Sequence, residues 1–426
     1  MFETGCGSAV ITPRTGLQMG GFSGTRIAEG VHDDLMAKAV YLADGPENRM
    51  MLIVVDTLEV DRHFVDEVRR RVEQETGVPA ACCLVAAIHT HSGPAGLGRV
   101  ALSDTQVFGT FDGRLFERTV AGCATAARKA RRWAREGTMY SGMASMLQPI
   151  CGNRRVRTAE QMQMRVLEVE TTTRCAVVYN LDCHPTVLHE ENHLYSADFP
   201  GFAASIMPLF EPFVTMPVFL NGAAGDMSTR FYRQSSDFAE VERIGTIVAE
   251  SVAASLDVLE PMKGPFTVRA AEVPLRLKAR KFPSAQDLER RIADARKKLE
   301  VARLEGVRNL RSLESAIEGL TFAAKIADSA GNVEHIDSRL SLVRFGDILV
   351  AGIPGELFSS LGNDIRAAFP DHVVLVAGYC GDYMGYIPDA AAYDEGGYEA
   401  FTTFIAKGEG ERLRDAAING MRALLA

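Results

Sequence analysis

The chain lacks any apolar run approaching the roughly 20 residues that a membrane span requires. Its first residues, MFETGCGSAVITPRTGLQ, have neither the positively charged start nor the continuous apolar stretch of a secretory leader. No membrane span and no export are therefore expected. Basic blocks are also missing. The 46 Lys and Arg residues are outnumbered by 55 Asp and Glu, for a net charge of -9, which argues against a dedicated nucleic-acid binder or a polybasic membrane surface. No CxxC spacing occurs among the eight cysteines, and several lie in apolar strand-like runs such as ACCLVAAI, where cysteine acts as a small buried hydrophobe. A reducing compartment, and so a cytoplasmic location, is the simpler expectation. Neither a GxSxG elbow nor a GxxxxGK[ST] phosphate loop is present, so neither an α/β-hydrolase nor a P-loop enzyme is indicated.

With 47% apolar and 24% charged residues, the chain has the composition of a protein that buries a large core. Its 426 residues allow two or three domains, or one large α/β unit with an insertion. No repeat, low-complexity stretch or Pro/Ser linker divides it. What recurs is an apolar strand that stops at polar residues: MLIVVDT at Asp56, CCLVAAIHTH at His89 and His91, AVVYNLDCHP at Asp182 and His184, VFLNGAAGD at Asn221, ILVAGIPGE at Glu356, and VVLVAGYCGDY at Asp382 and Tyr383. Such near-continuous runs read as strands buried on both faces, and ligands bind beyond the carboxyl ends of such strands. KAVYLADGPENRMMLIVVD, RVLEVETTTRCAVVYNLD and RLSLVRFGDILVAG read as antiparallel hairpins, so the sheets are mixed. Helices are expected over 61–76, 114–133 and 238–256, and a charged helical hairpin, either solvated or a lid over the site, over about 284–320. The expected fold is α/β, with mixed β-sheets flanked by helices, in a single large catalytic domain over 1–426 that carries the helical insertion.

IHTHSGP places His89 and His91 at i and i+2 of an extended segment, where both point the same way and can meet one ion or one substrate group. DCHPTVLHEENH offers His184 at a strand end, with His189 and His193 in a polar loop as further candidate ligands or solvent-facing groups. Glu356 follows a strand and would open a helix, where a glutamate favours the dipole in any protein. Two histidines and a carboxylate with an open position describe a catalytic zinc site. In NGAAGDMSTR, small residues permit close approach of a ligand, and Ser228 reads as a nucleophile or donor, or as a plain helix N-cap.

HTHSGP, CHPTVL, the GDMS loop, IPGE and the GDYMGY segment, in that order, with the N-terminal ITP, GFSG and GVHDDLMAKAVYL segments, resemble the catalytic domain of the neutral/alkaline non-lysosomal ceramidase family. The resemblance implies a Zn2+-dependent amidase whose metal is held by His89, His184, Glu356 and, unusually, Tyr386. It gives His91 an acid/base or oxyanion role and places Ser228 as the loop serine. It makes Arg154 of GNRRV and Tyr398 of GGYEA polar groups of the site. The chain departs from the family at NRRV, GDMST and IPDAAAYDEGG, and no counterpart of the immunoglobulin-like C-terminal domain of the secreted enzymes is expected. Arg154 and Arg155 together offer a bidentate partner for a substrate carboxylate, unless Arg155 faces outward from a surface loop.

The expected protein is thus a zinc-dependent hydrolase of an amide bond that acts on a small-molecule substrate smaller and more polar than a long-chain ceramide. Its oligomeric state is left open. A zinc-dependent esterase or lactonase, and a non-catalytic metal-containing binding protein, are the alternatives.

Overall fold

The computed structural model describes residues 1–426 apart from 100–104, 157–161, 174, 263, 308, 309, 331 and 332. Its frame is a large mixed sheet. In chain order its main strands are β1 (Phe2–Val10), β2 (Met36–Asp44), β3 (Arg49–Val55), β4 (Cys83–Ala87), β5 (Arg135–Ser145), β6 (Gln163–Thr171), β7 (Cys175–Leu181) and β8 (Val214–Asn221), and the two-residue strand Glu260–Pro261 pairs with β5 as a ninth. They lie in the order β8-β7-β6-β5-β1-β2-β3-β4. The central pairings are antiparallel, including the expected β2–β3 and β6–β7 hairpins. The two ends are parallel, β3 with β4 and β7 with β8. A second sheet joins β9 (Val268–Lys278), β10 (His335–Phe345), β11 (Ile348–Gly352) and β12 (Val373–Ala377), antiparallel except for the parallel pair β11–β12.

Two-sided burial of the apolar runs decides this layering. Every residue of β4 and β7 is buried. Val343, Phe345, Ile348, Val350, Leu375 and Ala377 of the smaller sheet join the core of the larger one, whereas Leu340, Leu342, Leu349, Ala351, Val374 and Val376 form a second core with the helices Ser359–Ala367 and Glu409–Leu425. The alternation of side chains along a strand sends consecutive residues to opposite faces, so one short sheet serves two cores.

The helices follow their punctuation. Arg62–Thr76 starts at Asp61, whose carboxylate accepts from Phe64 N at 2.8 Å, and stops at Gly77 in the left-handed region. It buries Phe64, Val65, Val68 and Val72, at about 1.5 to 3 kcal/mol for each side chain removed from water. Gly113–Arg132 and Phe238–Leu256 fall within a residue of their expected bounds. The charged insertion is a pair of helices, Ala285–Leu304 and Arg311–Ala330, so it extends past the expected 320. The first helix buries only Leu288 and Leu299, as a solvated helix does. The second packs on the short helix Tyr398–Thr402 and, with Phe322, forms part of a cavity wall.

The eight cysteines are free thiols, and all but Cys82 are buried. Among the described residues no helix is long and apolar enough to cross a membrane.

Candidate metal and catalytic site

The carboxyl ends of the parallel pairs meet where the two sheets touch. Gly378 N donates to Asn221 O at 3.0 Å, Ala87 N to Tyr379 O at 3.0 Å, and Asn180 Nδ2 to Val376 O at 2.9 Å. Residues just beyond β4, β7, β8, β11 and β12 therefore share one rim. There lies a cavity of about 310 Å3 lined by His89, His91, Arg154, Ser228, Glu356, Tyr386 and Tyr398 among others. His184, fully buried, lies behind it.

His89 sits at φ 71, a conformation uncommon for a residue with a side chain. The turn is held by His89 N on Thr57 O at 3.0 Å and by Asn221 Nδ2 on Ile88 O at 3.0 Å. Its Nδ1 lies 2.7 Å from Leu58 O, and His184 Nδ1 lies 2.6 Å from Ala224 O. A carbonyl only accepts, so each Nδ1 carries the proton and each Nε2 presents a lone pair inward, the arrangement that orients metal-binding histidines. Burial lowers the His89 pKa to about 4 and that of His184 to about 3, so both are neutral at pH 7.

Glu356 Oε2 lies 3.1 Å from His184 Nε2 and 3.5 Å from His89 Nε2. His184 Nε2 nevertheless makes no hydrogen bond, although it is fully buried. His91 Nε2 lies 3.1 Å from His89 Nε2, while its own Nδ1 is buried without a partner. His89, His91 and His184 bring their ligand atoms within 4.8 Å of one another. Two imidazole lone pairs and a carboxylate facing one another at these distances repel unless a cation or shared protons lie among them. The donor set of nitrogens and an oxygen suits zinc. The residues present therefore fit the expected ion.

Glu356 is not in the first turn of a helix. It lies in a two-residue strand, Glu356–Leu357, paired in parallel with Tyr386–Ile387, and Ser359–Ala367 follows it. This pairing sets Tyr386 beside Glu356 on the cavity. Gly225 makes room, since an added methyl there would collide with the Glu356 carbonyl. Two tyrosines absent from the expected site complete the carboxylate's surroundings: Tyr383 Oη donates to Oε1 at 2.6 Å, and Tyr379 Oη reaches Oε2 at 3.4 Å. Tyr383 was visible as a strand-end residue but carried no motif that assigned it a task.

Ser228 pairs through its backbone with Gly152 and bridges His184, which places it beside the histidines. It also caps the short 3-10 turn Thr229–Phe231, accepting from Arg230 N at 3.3 Å. The capping reading of this serine is therefore seen, on a 3-10 turn, while its backbone lies next to His184. Asn153 and Ser359 hold Asp226, whose carbonyl accepts from Arg154 N at 2.7 Å, so that loop fixes Arg154. Arg154 Nη1 donates to Glu399 Oε1 at 2.6 Å in a nearly buried ion pair, while Tyr398 stands next to Glu399. Glu399 was not anticipated. Tyr386 and Tyr398 meet edge to face with ring centres 6.0 Å apart.

Two alternatives left open by the sequence can be placed. Arg155 does not face the cavity: it binds both Asp389 oxygens at 3.1 Å and Glu395 at 2.8 Å. Arg155 is thereby committed away from the cavity, so the suggested grip by both guanidinia is not formed, while Arg154 keeps its place in the cavity lining beside Glu399. His189 and His193 stand apart from the cluster. His189 lies at the cavity mouth against Phe22 and near Glu191, and His193 Nδ1 contacts Ile27 O at 3.1 Å.

Residues 2–212 match the family model described as neutral/alkaline non-lysosomal ceramidase, N-terminal. The fold is similar to that of a neutral ceramidase from Pseudomonas aeruginosa, at 19% identity over 99% of this chain and 75% of that one, with a TM-score of 0.76. It is likewise similar to a ceramidase complexed with C2, at 17% identity over 100% of this chain and 75% of that one, with a TM-score of 0.77. The sequence of residues 2–212 thus belongs to the neutral/alkaline non-lysosomal ceramidase family, and the fold of nearly the whole chain is similar to that of a neutral ceramidase.

Proposed function

We propose that the chain is a zinc-dependent hydrolase of linear N-acyl amide bonds, acting in the cytoplasm on a small or medium polar substrate. The observation that carries this reading is the convergence of His184 Nε2 and His89 Nε2 on Glu356 Oε2, at 3.1 and 3.5 Å, from residues whose other polar atoms are already committed. His89, His184, Glu356 and Tyr386 would hold the ion. When bound, zinc supplies Lewis acidity at the acyl carbonyl and a water that is nucleophilic at neutral pH.

The protein groups have separable tasks. Ser228, beside the histidines, positions the nucleophile or attacks the carbonyl itself. His91 presents a neutral Nε2 to the cluster and takes a proton from the nucleophile, then returns one to the leaving amine, so the amide C–N bond breaks without releasing an anionic nitrogen. Arg154 and Tyr398 face the same cavity and donate to the oxygen on which charge develops. Each such donor is worth about 100- to 1,000-fold in rate. Glu399 fixes the Arg154 plane. The cavity volume, about 310 Å3, lies at the lower end for small-molecule sites and suits an acyl compound of modest length.

The test is metal analysis together with hydrolysis of matched N-acyl amides and O-acyl esters of equal chain length. Stoichiometric zinc with amide cleavage lost in His184→Ala is expected. Ester cleavage alone would identify an esterase or lactonase, and binding without turnover of either series would identify a binding protein. Both outcomes would overturn the amidase reading.

A further inference from the structure

The cavity has two unlike ends. Leu58, Val107, Phe108, Phe322 and Phe404 make one wall apolar, and Val107, Phe322 and Phe404 belong to one buried cluster. Toward the mouth the lining turns cationic, with Arg230, Arg233 and Arg311 close enough to repel one another's charge. Acidic groups line the cavity too, but three are committed: Glu356 to the tyrosines and histidines, Glu399 to Arg154, and Glu318 to Arg311 at 2.7 Å. Glu190 is the fourth, exposed at the rim.

Arg230 is the unusual member. Its Nε is buried with no hydrogen-bond partner, and its guanidinium packs on the Phe231 ring at 5.0 Å. Among the described residues it has no carboxylate ion pair. Among the described residues Arg233 donates to neutral groups, the carbonyls of Thr186 and Val187. A half-buried guanidinium has lost part of its hydration and gains strongly from an anion that replaces it. Ser228 and Arg230 line the same cavity, so an anion held by Arg230 shares that cavity with the reacting groups.

We propose that Arg230, supported by Arg233 and Arg311, is a carboxylate-binding subsite, and that the substrates are N-acyl amino acids with the acyl chain against the Leu58–Phe108–Phe322–Phe404 wall. This inference rests on the amide-hydrolase reading for its chemistry, although the subsite itself is a matter of binding. Burial lowers the Arg230 pKa to about 10, which leaves it charged at neutral pH.

The experiment titrates N-decanoylglycine and its uncharged counterpart N-decanoylethanolamine into metal-chelated full-length protein by calorimetry. Wild type is expected to bind the glycine conjugate at least about 10-fold more tightly, a typical return for one charge-assisted contact. Arg230→Gln should abolish the preference while changing affinity for the ethanolamide less than about threefold, and Arg230→Lys should retain part of it. Arg233→Gln provides a second variant should Arg230→Gln lower the melting temperature. Equal affinities in wild type, binding of neither compound, or a preference that survives Arg230→Gln and Arg233→Gln would overturn the subsite. Turnover of both compounds by zinc-loaded wild type is followed in parallel. Preferential binding without any cleavage would sink the amidase reading and leave the subsite standing.

Discussion

Tyr383 donates its hydroxyl hydrogen to Glu356 Oε1 at 2.6 Å, on the side of the carboxylate away from His184. One oxygen of Glu356 is thereby occupied and the other is aimed at the histidines. Outer hydrogen bonds of this kind typically tune metal affinity by about 10- to 100-fold. Purified protein is expected to hold one zinc per chain, and Tyr383→Phe to weaken its retention by that factor in a chelator competition. His89→Ala and His184→Ala should each lose the metal altogether. Full zinc content in both alanine variants would sink the assignment.

Ser228→Ala separates the capping contact of that side chain from its proposed catalytic task. The capping contact to Arg230 N is long, at 3.3 Å, so its loss should cost under about 1 kcal/mol. If the hydroxyl acts on the reacting carbonyl or water, the same variant keeps its zinc and loses most of its rate. A melting curve, a metal assay and kinetics on one preparation decide; near-normal turnover would reduce Ser228 to a cap.

How far this site can be read from sequence depends on where each residue stands relative to a strand. His89, His184 and Glu356 follow apolar runs that must be buried, so their convergence follows from the sheets. Tyr386 came from a matched family segment, whereas Ser228 already stood out in its small-residue loop after a strand. Tyr379 and Tyr383 lie beside the same strand end as Asp382, but only the folded turn shows that their hydroxyls, rather than Asp382, reach Glu356. Asp382 instead caps Arg62 N and binds Ser338. Glu399 and Asp389, the partners of Arg154 and Arg155, lie more than 200 residues away in the chain, and no local pattern encodes such pairs. The fold classes of the segments were legible for the opposite reason: caps, hairpin turns and two-sided apolar runs are local signals.

The Arg154–Glu399 pair predicts an asymmetric response. Both side chains are close to fully buried, so removing one charge strands the other. Glu399→Gln should destabilise the protein by about 3 to 5 kcal/mol and also slow turnover, because Arg154 loses its anchor. Arg154→Met combined with Glu399→Gln should recover much of the stability but none of the rate. Recovery of rate in the double variant would show that Arg154 has no part in the chemistry.

The last prediction concerns pH and lies outside the metal cluster. Glu59 is buried beside Asp61 and Asp382, and accepts from the Gly98 N–H. Burial, reinforced by the charge of Asp61, lifts its pKa from the usual 4.5 to about 8. The folded chain therefore keeps a proton that the unfolded chain has released at every pH between those values. Under proton linkage this makes stability fall as pH rises across that window, by up to about 1.4 kcal/mol per unit from this one group, and level off above it. Gln mimics the protonated carboxyl and does not titrate, so Glu59→Gln should match wild type near pH 4.5 and become progressively more stable than it toward pH 8. Asp56 and Asp198, both lifted to about 6 by burial, titrate alike in the two proteins and cancel in the difference. Urea melts at half-unit intervals from pH 5 to 8 measure that difference directly, and a gap that does not change with pH would mean that Glu59 is already ionised in the folded chain.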